Sequence, residues 1–265
     1  MKPFCEVCCP SLQAVARAVA AGADRIELCE RLEVGGVTPS EALIRNALAV
    51  AGKVPVNVLI RPREGDFVYS EEETAQMLES IALCKSIQAD GAAAGRGTNQ
   101  RVSGVVIGAL RPDGSVDMSL MRQLVAAARP AAARLAAARL VASRHASARH
   151  ASARPAAARP AAACAAADPA GPDALRPLGI TFHRAFDECR DPFAALEDII
   201  RLGIDRILTS GHCANAWEGR FILKELVERA AGRIVIMPGC GITPANLPEI
   251  AAITAATEFH GSRIL

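Results

Sequence analysis

The stretch FCEVCCPSLQAVARAVAAGADRIELC, residues 4–29, reads as one complete strand–helix–strand unit. FCEVCC has the small and β-branched character of a buried strand, and Ser11 stands as an N-cap before the periodic run LQAVARAVAAG. DRIELC then supplies a second strand, and its ELC (27–29) echoes the EVC at 6–8. A strand sends residues i and i+3 to opposite faces, so Cys5 and Cys8 cannot form a compact CxxC couple. Redox CxxC pairs sit instead at helix N-termini, where the dipole lowers the thiol pKa. Glu6 and Cys8 share one face, and Glu27 and Cys29 follow the same alternation. Strands joined by a helical crossover are parallel neighbours, about 4.8 Å apart. With that face turned inward, Cys8 and Cys29 come side by side at the C-terminal end of the strands, and the two Glu lie one layer deeper. Two such thiolates suit a soft monovalent ion such as Cu(I). Spacing alone favours the plainer reading, in which both cysteines merely pack.

The same unit recurs along the chain. Further strand candidates are VPVNVLI (54–60), VVIGAL (105–110), GITFH (179–183), DRILTS (205–210), RIVIM (233–237) and TEFHG (257–261). Helix starts lie between them. Ser40 precedes EALIRNALAVAG, Ser70 and Glu73 form a capping box, and Asp191-Pro192 and Thr243-Pro244 pair a cap with a first-turn proline. Leu120 to Ala128 and Glu218 to Ala230 complete the helices. Strict alternation of strand and helix predicts an α/β fold, a (β/α)₈ TIM-type barrel over 1–265, with a doubly wound sheet as the weaker alternative. The final helix is missing or truncated, because the sequence stops at Leu265 just past the eighth strand.

Two stretches break the pattern. Residues 131–176 form an Ala/Arg/Pro-rich low-complexity insert, and Arg recurs every fifth residue from Arg129 to Arg159. A period of five defines no helix face, and Pro155 and Pro160 would break a helix. The segment reads as a loose, dispensable loop rather than a basic interaction arm. A shorter insert covers 92–104. Both fall at helix-to-strand connections, on the barrel face away from the strand C-termini. Residues 129–176 carry eight Arg and two Asp; removing that +6 from the net charge of +2 leaves −4 on the remainder. A mildly acidic body excludes the clustered cations that nucleic-acid binding needs. No apolar run reaches the roughly 18 residues of a membrane span, and a strand within four residues of Met1 leaves no room for a signal peptide. Nine scattered cysteines, an odd number, point to reduced thiols and a cytoplasmic setting.

Strand ends collect further polar groups at the mouth: Arg61, His183, Thr209 and His260, with Asp187 close by. Glu27 is expected to pair with Arg61, since a buried carboxylate needs a partner. The turn MPGCGIT (237–243) could offer backbone N–H groups at Gly239 and Gly241 to an anion. Such a mouth also suits an enzyme, a hydrolase or isomerase acting on a small anionic or phosphorylated substrate. His183 would then be an acid or base oriented by Glu27 or His260.

ADRIELC, GGVTPS (35–40), IRPREGDFVYS (60–70), TFHRAFD (181–187), DRILTSG (205–211), RIVIMPGCGIT (233–243) and TEFHGS (257–262) resemble, in order, the signature segments of the CutC copper-homeostasis family. The resemblance spans the chain apart from the two inserts. It implies a TIM-type barrel and a cytosolic protein of copper homeostasis, whose first-strand cysteines have been proposed as Cu(I) ligands. Cys8 and Cys29 are the matching metal candidates, which moves the balance from packing toward copper binding. Glu27, Arg61, His183, Asp187 and His260 then line the cleft. No nucleic acid or membrane partner is implied, a small anionic ligand fits the mouth, and a homo-oligomer is compatible with it. The chain departs from the family at Pro10, where an Asp is usual, at Cys240 in place of Gly, and at His212 and Cys213. With the inserts and the absent last helix, these departures leave a third reading, a degraded barrel kept for interactions.

Overall fold

The computed structural model describes residues 2–93, 101–129 and 177–265, with side chains described only to Ala89 in the first segment. The second insert, 131–176, and residues 94–100 of the first lie outside the described residues. Eight strands alternate with seven helices among the described residues. They run β1 (Phe4–Cys9), α1 (Leu12–Ala20), β2 (Arg25–Leu28), α2 (Glu41–Ala51), β3 (Val56–Leu59), α3 (Glu71–Ala93), β4 (Val102–Ile107) and α4 (Met118–Ala128). After residue 177 come β5 (Gly179–Phe182), α5 (Pro192–Arg201), β6 (Arg206–Thr209), α6 (Arg220–Ala230), β7 (Val235–Pro238), α7 (Leu247–Thr254) and β8 (Glu258–Gly261). Every ladder is parallel, in the order β7-β6-β5-β4-β3-β2-β1-β8. The two end strands meet, since a Cβ on Gly239 after β7 would lie 3.5 Å from the Cβ of His260 on β8. The sheet thus curls into the expected TIM-type barrel. No helix follows β8 before Leu265.

The caps read from the sequence form as hydrogen bonds. Ser11 Oγ accepts from Ala14 N, Ser70 and Glu73 bond reciprocally, and Asp191 accepts from Phe193 N and Ala194 N. Two element starts differ by three residues. β4 begins at Val102, ahead of the expected 105, because Gly104 pairs with Asn57 on β3 and Gly179 on β5. Residues 102–104 of the shorter insert are therefore strand. The last helix starts at Leu247 and not at Pro244, because Asn246 Oδ1 accepts from Thr243 N and closes a separate turn first.

Alternation along the strands divides two environments. Outward residues such as Cys5, Val7, Cys9, Ile26 and Leu28 join the helices in one continuous apolar layer. Inward residues are largely polar. Glu6, Arg25, Glu27, Asn57 and Thr181 are all buried inside the barrel. Arg25 Nε donates to Glu6, and its Nη2 donates to Glu258 Oε2 at 2.7 Å. Glu258 also accepts from Arg206 Nε at 2.8 Å, and Asn57 Nδ2 reaches Glu6 Oε2 at 3.2 Å. This charged floor closes the barrel below the mouth.

Candidate functional site

The inward face of β1 and β2 builds the centre of the mouth. Glu6 stands opposite Arg25 on β2 and His260 on β8, whereas Cys8 stands opposite Glu27. Glu27 is therefore beside Cys8, not one layer deeper as the sequence suggested, and only Glu6 lies below. Strands in a closed barrel are staggered, and that stagger lifts β2 relative to β1. Cys29 comes next to Cys8, with sulfurs 3.6 Å apart. Cys8 Sγ is 3.8 Å from Glu27 Oε1, and Glu27 Oε2 is 3.5 Å from His260 Nε2. Cys8, Glu27 and His260 form the one three-ligand metal grouping found among the described residues. Cys5 points the other way, into the outer layer, as the strand alternation requires.

The electrostatics of this cluster favour a neutral Cys8 thiol. The Cys8–Cys29 hydrogen bond, then burial, then the Glu27 carboxylate push this thiol well above its ordinary value. Burial pulls His260 down, but Glu27 and Glu6 more than offset it, and its pKa is raised. An entering cation would replace protons here and find two sulfurs, an imidazole and a carboxylate. That donor set suits a thiophilic ion.

Arg61 does not pair with Glu27. Its Nη1 donates to the carbonyls of Val34 and Gly36, each at 3.2 Å, and its Nη2 to that of Gly65 at 2.6 Å. The loops after β2 and β3 fold back over the mouth, so the side chain finds backbone carbonyls before it can reach the barrel interior. Its guanidinium also lies 4.7 Å above the Phe67 ring. The loop it holds roofs Cys29. Gly36 sits at φ +86, and a Cβ there would come within 2.8 Å of Leu59 Cδ2 and 3.3 Å of Cys29 Cβ, so only glycine fits. Arg61→Met should therefore loosen that roof. Charged hydrogen bonds are worth about 1.5–3 kcal/mol each, so local opening should become easier by about 2 kcal/mol. Alkylation of Cys29 in the native protein should then accelerate roughly thirtyfold. An unchanged rate would show that the roof does not depend on Arg61.

His183 has neither Glu27 nor His260 as its partner. Its Nδ1 accepts from Ala185 N at 3.1 Å, because it caps the short 3₁₀ turn Arg184–Glu188. Burial, and then the Arg61 charge, press its pKa down to about 3. The ring is thus neutral, with its proton on Nε2. It packs 4.9 Å from Phe67 and needs Gly108 beneath it, where a Cβ would lie 2.6 Å from His183 Cε1. Asp187 turns to the end of β6 and accepts from the Thr209 hydroxyl, Ser210 N, His212 N and Arg184 Nε. Gly239 is not available to an anion, since its N–H donates to Thr209 O at 2.9 Å. Gly241 lines the cavity. Sequence reasoning passed over Arg25, although it shares the parity of Glu27. It also passed over Arg263, which lines the cavity just beyond β8.

Residues 4–143 and 172–265 match the CutC family. The chain belongs to the CutC family. It is 41% identical over 262 residues to a family protein CutC of Parabacteroides distasonis, covering 99% of this chain and 83% of that one. It is 38% identical over 257 residues to the copper homeostasis protein cutC homolog of Homo sapiens, covering 97% of this chain and 72% of that one. The crystal structure of CutC from Streptococcus agalactiae superposes with a TM-score of 0.73 at 27% identity, covering 100% of both chains. Among the described residues no helix is long and apolar enough to cross a membrane.

Proposed function

We propose that this CutC-family chain takes up Cu(I) between Cys8 and Cys29 and serves copper homeostasis in a reducing, cytoplasmic setting. The observation that carries the reading is the 3.6 Å approach of two inward sulfurs at the barrel mouth. Glu27 and His260 stand close enough to complete the ligand set. The eight described cysteines are all free, which suits a reduced protein. Relatives named for copper homeostasis support the same assignment.

Cargo is the better word than cofactor. The barrel floor and outer layer are complete by their own packing, so the fold has no need of an ion to close. Reduced wild-type protein should take up about one Cu(I) per chain, a ratio set by a single soft-ligand cluster. Cys29→Ser should abolish that uptake, and Cys5→Ser should leave it intact. Metal analysis after gel filtration, with Zn(II) offered in a parallel sample, decides the matter. Equal losses from both substitutions, or retention of zinc in place of copper, would sink the proposal.

A further inference from the structure

A cavity of about 750 Å³ opens above the metal cluster, a size that accommodates a small metabolite. Leu32, Leu59, Phe67, Leu208 and Ile242 give it apolar walls. Its polar groups are unusual in one respect: two buried side chains, Arg61 and His183, each keep a nitrogen without a partner. Arg61 is only 6% exposed, yet no carboxylate lies within ion-pair distance of it among the described residues, and its Nε has no partner. A buried guanidinium whose charge is matched only by carbonyl dipoles and a ring face keeps an uncompensated positive charge. His183 is 5% exposed, and its Nε2 also lacks a partner. With Nδ1 committed to Ala185 N, that Nε2 is a donor. Arg263 adds an exposed cation at the rim, with no ion pair among the described residues. The acidic side chains at the mouth are differently placed. Asp187 is consumed by Arg184 and the end of β6, Glu27 faces His260, and Glu188 lines the cavity from an exposed position.

We propose that this cavity binds a small organic anion, its carboxylate or phosphate group taking the Nε2–H of His183 beside the unmatched charge of Arg61, with Arg263 closing over it at the rim. The carbon body of the ligand lies against Phe67 and the aliphatic wall. Cys8 lines the same cavity, but the anion's partners are other side chains, and the proposal does not rest on copper binding.

The test uses reduced, copper-free full-length protein, titrated calorimetrically with inorganic phosphate and with malonate, and with sodium chloride as the ionic-strength control. Saturable binding of phosphate or of malonate, absent with chloride, is the expected result, and the better binder identifies which anionic group the site prefers. His183→Asn is the informative variant, because Asn Oδ1 can keep the cap on Ala185 N while the Nε2 donor is lost. Its affinity should fall at least about tenfold, the loss expected when one hydrogen bond to a charged group is removed. Arg263→Ala, at an exposed position, should weaken binding severalfold, and Cys5→Ser, in the outer layer, should leave it unchanged. Failure of both anions to bind the wild type overturns the proposal. So does undiminished binding by a folded His183→Asn protein, or by Arg263→Ala if the first variant does not fold.

Discussion

Replacing Arg25 by methionine should cost the fold about 3–5 kcal/mol, the range seen when one member of a buried ion pair is removed. The side chain is 5% exposed and joins Glu6 on β1 to Glu258 on β8, so it ties three neighbouring strands across the barrel floor. Methionine keeps most of the stem volume but none of the charge. Glu258 would retain Arg206, whereas Glu6, with 0% exposure, would keep only the amide of Asn57 and His260 at 4.0 Å. A domain's whole stability is about 5–15 kcal/mol, so the loss is a large share of it. Urea denaturation read by circular dichroism measures the change. Adding Glu6→Gln to Arg25→Met should return part of the stability, because no unpaired carboxylate then remains at that level. A shift below about 1 kcal/mol in the single variant, the size of a surface pair, would mean that water or repacking replaces Arg25.

Arg25 also marks what the sequence made legible and what it did not. The barrel could be read because each strand declares its two faces locally. Cys5, Val7 and Cys9 alternate with Glu6 and Cys8, and the helix caps at Ser11, Ser40, Ser70 and Asp191 fall where the side chains form them. The closeness of Cys8 and Cys29 followed from the same alternation plus one crossover. Relative height did not, because the stagger between strands is a property of the closed barrel and no residue in β1 or β2 encodes it alone. Alternation alone therefore puts Glu27 below Cys8, whereas the stagger sets them level. The partners of Arg61 are hidden from the sequence for a related reason. Charge suggested a carboxylate partner, but the carbonyls that win belong to two loops whose path over the mouth is set by Gly36 and by the Glu30–Val37 bridge. The start of β4 was hidden because VSG reads as a turn until it is set between Asn57 and Gly179.

Under the Cu(I) reading proposed above, uptake should strengthen steeply with pH. The Cys8 thiol is held protonated by its hydrogen bond with Cys29, by burial and by the facing Glu27 carboxylate. Only a thiolate binds the ion, so each Cu(I) that enters must displace that proton. The sign follows from the balance: a proton is released on binding, and raising pH removes a product. Apparent affinity therefore rises about tenfold per pH unit while the pH stays below the thiol pKa, or about a hundredfold from pH 6 to pH 8. A steeper profile would mean that a second proton leaves as well. His260, with its pKa raised by Glu27 and Glu6, steepens the acid end if its Nε2 joins the ion, and His260→Gln should flatten that end alone. Competition against a Cu(I) chelator of known affinity, at pH 6, 7 and 8 under reductant, reads the slope. An affinity that does not change with pH would exclude a buried, protonated thiol as the ligand, whatever the stoichiometry. The same device has a cost and a use. The protonated Cys8 thiol binds copper more weakly than a free thiolate would, but it is a poor nucleophile and resists oxidation while it waits. Loosening the roof at Arg61 should therefore raise reactivity at Cys29 and raising the pH should do so at Cys8, while only the pH change alters the protons exchanged for copper.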